Sequence, residues 1–402
     1  MIPAILINSR APKSILYELL KPANYSIPQI HCELSPFDMR NMRSYVASDV
    51  AFGWGKHMYR VSILLALLAY VSVTACGEDT TGPSGGHGGD PPDSVATVLN
   101  VGGGPKSICA LPSGDRLYVT NVPIGNVLVL SAPDGTAIDT VDLGGTSSDL
   151  DWICSSPSGQ YVYVVGEGDM YIIRTSDNLL VWQTNITALV TGICPHPSGE
   201  YVYVSGYYWE RNTDFFGQSE GLPGDKQGYN GEISVIDAND FTVVEEVEID
   251  QRTQGVCADP SGEYVYLCAG GDLYRLRTSD NSFVDTLDLS GSREVCCLSQ
   301  GDYLYVSAGS GDLVSVIDVD EFEVVSTIPL GEEPTAICAH PSGEYVYVTN
   351  SFDDTVSLIR TSDNSVVSTI SVGSQPWGVE VLPSGEYVYV TNLDDGTVSV
   401  VQ

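Results

Sequence analysis

One short phrase constrains this chain more than anything else in it. Pro-Ser-Gly followed by alternating Tyr and Val recurs along most of the length, with Ser299-Gln300-Gly301 as the one departure. The repeat glycines are Gly114, Gly159, Gly199, Gly262, Gly301, Gly343 and Gly385, spaced by 45, 40, 63, 39, 42 and 42 residues. A unit of this length holds four short strands. One such sheet cannot bury its own faces, so tandem copies stack into a ring. Seven units, one carrying a long insertion, predict an all-β, seven-bladed propeller over 94–402.

The unit is clearest in 334–377. Ala336 to Ala339 reads as strand a, and Pro341-Ser342-Gly343 as a turn. Glu344 to Asn350 alternates as strand b, Thr355 to Ile359 as strand c and Ser365 to Val372 as strand d. Asp, Asn and Gly fill the connections, where positive φ and side-chain-to-backbone bonds are cheapest. The tetrads Tyr118-Val119-Thr120-Asn121, Tyr347-Val348-Thr349-Asn350 and Tyr389-Val390-Thr391-Asn392 resemble the YVTN family of β-propellers. The resemblance spans about 94–402. It implies a surface-exposed or secreted propeller and leaves the role open.

The ends predict how the ring closes. The chain stops after strand c of the seventh unit. Ser94 to Ser107 matches Ser365 to Gly378 in pattern, so residues 94–101 are expected to supply the missing outer strand. An unpaired strand edge would thereby be avoided.

Residues 1–57 carry no repeat and are read as a non-domain extension, with translation starting at Met58. Met58-Tyr59-Arg60 and the apolar run Val61 to Val73 lead to Val73-Thr74-Ala75-Cys76, the layout of an export signal over 58–76. The run is short for a membrane span. Val-Thr-Ala-Cys resembles the bacterial lipobox, which implies lipidation of Cys76. An ordinary signal peptide is the alternative. Residues 77–93 are rich in Gly, Pro and acids and read as a flexible linker. Together these features predict a cell-envelope protein, anchored by lipid to a bacterial membrane or secreted.

The first sixty residues hold seven of the 17 Lys/Arg and four of the 52 Asp/Glu, leaving ten basic and 48 acidic residues beyond. A body this acidic repels nucleic acid, so no nucleic-acid partner is expected.

Six of the seven positions that lie five residues before a repeat glycine are cysteine: Cys109, Cys154, Cys194, Cys257, Cys296 and Cys338, with Glu380 as the seventh. Free thiols packed as small hydrophobes are expected over bridges, because blades fan apart. His196 and His340 precede Pro-Ser-Gly turns in different units, and no H-E-x-x-H or C-x-x-C occurs. Asp353-Asp354 and Asp394-Asp395 read as turn formers. No catalytic residue, metal site or cofactor is assigned.

The position eight residues before each glycine behaves differently. It reads Lys106, Asp151, Thr191, Gln254, Arg293, Thr335 and Trp377, changing chemistry at nearly every unit. Blade geometry puts it at the start of strand a, at the mouth of the central channel, and loops there carry function. The third-unit insertion, about Tyr207 to Asn230, opens on the same face. It adds Tyr207, Tyr208, Trp209, Arg211, Phe215, Phe216, Lys226 and Tyr229. Lys106, Asp151, Trp152, Tyr208, Trp209, Arg252, Gln254, Arg293 and Trp377 are the candidate binding residues. Aromatics with scattered Arg/Lys suit a protein, peptide or polysaccharide partner. The competing reading is a hydrolase or oxidoreductase, since lactonases and quinoproteins share this architecture. Its carboxylates would be Asp151, Glu332, Glu333 and Glu380.

Overall fold

Tyr345–Asn350 shows why the repeat folds as it does. Val346 and Val348 point to one face and Tyr347 and Thr349 to the other, and all four are buried. A strand apolar on both faces has to lie between two other sheets. The computed structural model describes residues 48–54, 57–63 and 92–402, apart from 123, 133, 145–149, 167, 187–188, 210–228 and 310. The chain divides into two units, residues 1–84 and 85–402. In the first, Ser48–Trp54 pairs antiparallel with His57–Ile63. Cys76 lies outside the described residues.

The second unit is a ring of seven four-stranded antiparallel sheets. The inner strands of blades 1 to 7 are Pro105–Ala110, Trp152–Ser155, Leu189–Pro195, Thr253–Ala258, Ser292–Cys297, Pro334–Ala339 and Pro376–Val381. In blades 1 to 6 the strands follow in chain order. In blade 7 the order is Pro376–Val381, Val388–Asn392, Thr397–Val401 and then Val95–Asn100. Val98 faces Ser399 and Asn100 faces Thr397, and the N–H of Gln402 donates to the carbonyl of Ser94 at 3.0 Å.

Seven hydrophobic clusters hold the ring, each drawn from two neighbouring blades. The repeat tyrosine of strand b is fully buried in every blade. In two blades its hydroxyl bonds to the turn of the next: Tyr118 donates to Asn178 Oδ1 at 2.8 Å and Tyr305 to Asn364 Oδ1 at 2.7 Å. Both asparagines sit in c–d turns at positive φ, which Asn tolerates. Tyr347 has no such turn ahead of it, because strand d of blade 7 comes from the other end of the chain. It donates instead to the carbonyl of Pro92 at 3.3 Å.

Blade 3 departs from the pattern. Strands Tyr201–Trp209 and Tyr229–Asp237 run nine residues each, against six for their counterparts in blades 1, 4, 5 and 6. Tyr207, Tyr208, Trp209 and Tyr229, read above as insertion, are therefore strand. The hairpin projects about 10 Å further, at roughly 3.3 Å per residue.

Candidate functional site

The channel mouth lies where the d–a connections end and the inner strands begin. It holds a cavity of about 310 Å3, and all seven residues of the variable position line it: Lys106, Asp151, Thr191, Gln254, Arg293, Thr335 and Trp377. Trp152, Arg252, Tyr207 and Glu294 complete the polar and aromatic wall.

The fold fixes these residues through their backbones. Thr391 Oγ1 donates to the carbonyl of Lys106 at 2.7 Å, Thr349 Oγ1 to that of Trp377 at 3.0 Å, and Ser205 Oγ to that of Gln254 at 2.7 Å. Each hydroxyl comes from strand b of the preceding blade. The Thr of the tetrad thus locks the next blade's mouth residue in place.

Trp377 is the centre of the arrangement. Lys106 Nζ lies 5.1 Å and Arg293 Cζ 5.5 Å from its ring centre, so two cations sit against one indole. Its Nε1–H is buried and has no hydrogen-bond partner among the described residues. A buried donor left unpaired costs about 1–3 kcal/mol, a penalty that a ligand oxygen would relieve. Lys106 also pairs with Asp151. Arg293 Nη1 meets Glu333 Oε1 at 2.6 Å. Glu333 holds a φ of 56°, an uncommon backbone state for this residue type. Arg252 stacks on Tyr207 at 4.8 Å and makes no ion pair with a described residue.

Glu294 lines the same cavity, and sequence reasoning passed over it. Its carboxylate leans over Gly255 of the neighbouring blade, where a side chain would collide with it. Burial pushes its carboxyl up to about 8, outweighing the opposing pull of Arg293. Burial thus favours its protonated form at neutral pH. The mouth then carries three cations, Lys106, Arg252 and Arg293, against the carboxylates Asp151 and Glu333. It is a positive spot on an acidic body.

Other expectations fall elsewhere. Tyr208 is absent from the cavity wall, because alternation along the strand turns Tyr207 inward. Trp209 is the last residue of that strand, and Arg211, Phe215, Phe216 and Lys226 lie outside the described residues. Glu332 is exposed, off the cavity. Glu380 sits deeper, level with the cysteines. Its Oε1 accepts the N–H of Ala110 in the next blade at 3.1 Å, and burial raises its carboxyl to about 7. The cysteines play the same part: Cys194 Sγ accepts the N–H of Ala258, again one blade on, at 3.0 Å. All eight described cysteines are free. Arg174, Arg277 and Arg360 are held by Asp177, Asp280 and Asp363 within the c–d turns. Asp353 and Asp354 accept the N–H groups of Glu332 and Gln375 and so shape the connections around the mouth.

Residues 116–402 match the family described as "Lactonase, 7-bladed beta-propeller". The chain belongs to that family. One curated relative of this lactonase-family propeller is the uncharacterized protein YwhL of Bacillus subtilis (strain 168), 28% identical over 243 residues. The match covers 59% of this chain and 49% of YwhL, so the chain spans about half the length of that relative. Among solved structures, Kuenenia stuttgartiensis hydrazine synthase superposes with a TM-score of 0.63 at 16% identity, covering 76% of this chain and 96% of that one. The Cps50 (Swd1) β-propeller domain of Myceliophteria thermophila gives 0.62 at 13% identity, covering 77% and 99%. At these identities the likeness is one of fold.

Proposed function

We propose that this lactonase-family propeller is a binding module of the cell envelope, whose channel mouth captures the carboxylate of an acidic, hydroxyl-rich ligand. The observation that carries the reading is Trp377, set between Lys106 and Arg293 with its indole N–H buried and unpaired. Cations take carboxylates, and an orphan donor takes an oxygen. The positive mouth on an acidic body favours an anion there and rejects one elsewhere on the surface. Lipidation at Cys76, or secretion, would put the module where envelope saccharides and peptides are found.

The family match favours a second reading, lactone hydrolysis in the same pocket. Asp151 would be the carboxylate available to activate water, and Arg293 a cation available to a developing oxyanion. Glu294, whose protonated form burial favours, is suited to donate a proton rather than to accept one.

Isothermal titration with galacturonate and with neutral galactose separates binding from its absence. Saturable binding of the acid alone, lost in Lys106→Ala and Arg293→Gln, supports the binding reading, and equal indifference to both sugars overturns it. A pH-stat assay with galactonolactone decides on hydrolysis: turnover that Asp151→Asn abolishes would make the protein an enzyme.

A further inference from the structure

The mouth cavity has a sideways exit. A second hollow of about 540 Å3 adjoins it and shares Arg252, Gln254 and Arg293. Its remaining wall is built from Gly270, Gly271, Gly291, Ser292, Gly309 and Glu333. The connection between Ala269 and Asp272 in blade 4 is only Gly270-Gly271, so this blade has one of the lowest tops in the ring. It stands directly after blade 3, whose hairpin projects furthest. The top face is therefore stepped, and the floor of the step lacks side chains.

We infer that this step is a groove for a linear acidic saccharide, with the terminal uronate in the mouth and the following residues lying over the glycines of blades 4 and 5. The inference rests on the binding reading above and extends it from a single sugar to the end of a chain. Four observations carry it.

The groove offers the Gln254 amide, hydrogen-bonding chemistry matched to sugar hydroxyls, while the N–H groups of Gly270, Gly291 and Ser292 are already bonded to the carbonyls of Arg252 and Gly271. It offers no apolar recesses for peptide side chains. Among the residues lining the two hollows, the aromatic and cationic groups sit at the inner end, around Trp377, so the chain's charged terminus is recognised there and its body more loosely. Finally, Arg252 and Arg293 stand at the junction of the two hollows and can meet carboxylates on successive residues, the Arg293–Glu333 pair bordering the groove.

The test is a length series on the full chain: galacturonic acid, digalacturonic acid and trigalacturonic acid, with cellotriose as the uncharged control and triglutamate as the acidic peptide. Affinity is expected to rise by about tenfold from the monomer to the trimer, equivalent to one added charged hydrogen bond. Cellotriose and triglutamate are expected to bind more weakly than the trimer. Gly270→Asp should bring the trimer down to the affinity of the monomer. Gly270 has a φ of 63°, a state Asp tolerates, and a Cβ there would meet only the flexible end of Gln251. The new carboxylate would repel the chain. Equal affinity for monomer and trimer in the unaltered protein overturns the groove and leaves the mouth site standing. Failure of every uronate to bind overturns both. Tighter binding of triglutamate than of trigalacturonate overturns the saccharide assignment in favour of a peptide.

Discussion

His340 Nε2 and the carbonyl of Gly385 lie 3.0 Å apart across the boundary between blades 6 and 7. His340 Nδ1 accepts the N–H of Ser342 at 3.1 Å, so Nε2 carries the proton and donates to Gly385. His196 makes the same contact to Gly262 at 2.8 Å, between blades 3 and 4. Both histidines staple one Pro-Ser-Gly turn to the next, and the bare glycine lets the ring approach.

Removing such a staple should weaken the ring without touching the mouth. His340→Ala is expected to lower unfolding stability by about 1–2 kcal/mol, two neutral hydrogen bonds being lost at a partly exposed site. Urea denaturation of the variant checks this, and unchanged uronate affinity would separate the staple from the site.

Glu294 gives stability a pH dependence with a definite sign. Its folded carboxyl lies above the ordinary carboxylate range, so the native state holds the proton more tightly than the unfolded chain. Its contribution to stability is fully present below the ordinary carboxyl value and is lost as pH rises from there to about 8. Glu294→Gln should reduce the loss between about pH 5 and pH 9 by something on the order of 2 kcal/mol, less than full conversion of the shift because water enters the channel. Glu380, raised to about 7, supplies a second and earlier part of the decline, which Glu380→Gln should remove. Denaturant midpoints of the single and double variants at both pH values measure the two parts. Above about pH 8 the ionised Glu294 also adds a negative charge to the mouth, so uronate affinity should fall there and Glu294→Gln should prevent the fall.

The thiols lining the channel should be slow to react. Burial, the largest cause, raises Cys109, Cys154, Cys257, Cys296 and Cys338 above the ordinary thiol range and Cys194 to about 12. The nucleophile is the thiolate, so alkylation by iodoacetamide at about pH 8 should run at least tenfold slower in the native protein than in urea. Mass spectrometry of the labelled peptides reads this site by site. Cys194→Ala should cost about 1 kcal/mol, because the N–H of Ala258 loses its acceptor.

Deleting the strand Val95–Asn100 should cost more than any of these substitutions. Thr397–Val401 would be left as an open edge and the ladder to the outer strand would be lost. A loss of about 3–5 kcal/mol is expected, together with self-association through the bared edge. Thermal melting and size-exclusion chromatography would show both.

The blades were readable because their punctuation is chemical: Gly114 and its six counterparts all adopt φ between 68° and 79°, which glycine alone takes freely. The mouth was readable for the opposite reason, since Lys106, Arg293 and Trp377 occupy a register where the repeat imposes no common side chain. Glu294 was not. It stands one position further on, where the counterparts are Ser107, Trp152, Gly192, Gly255, Ala336 and Gly378, and its lean over Gly255 exists only once two blades are side by side. Tyr207 and Tyr208 were ranked the wrong way because alternation gives no sign of how far a strand continues before its loop. The cysteines were expected as small hydrophobes. Their bonding to the N–H groups of the following blade could not be seen, since those partners lie 43 to 64 residues away for Cys338 and Cys194.

Blade 7 borrows its outer strand from the opposite end of the chain, and this sets the order in which the molecule can be assembled. Val95–Asn100 leaves the ribosome before any blade exists, yet its partner Thr397–Val401 follows all six other blades in the chain. Six sheets can form in succession from neighbouring segments, whereas the seventh waits until Thr397–Val401 has been made. The ring's first strand must therefore stay unattached while the six other blades are made, and its capture is a long-range, slow event that turns a row of sheets into a ring.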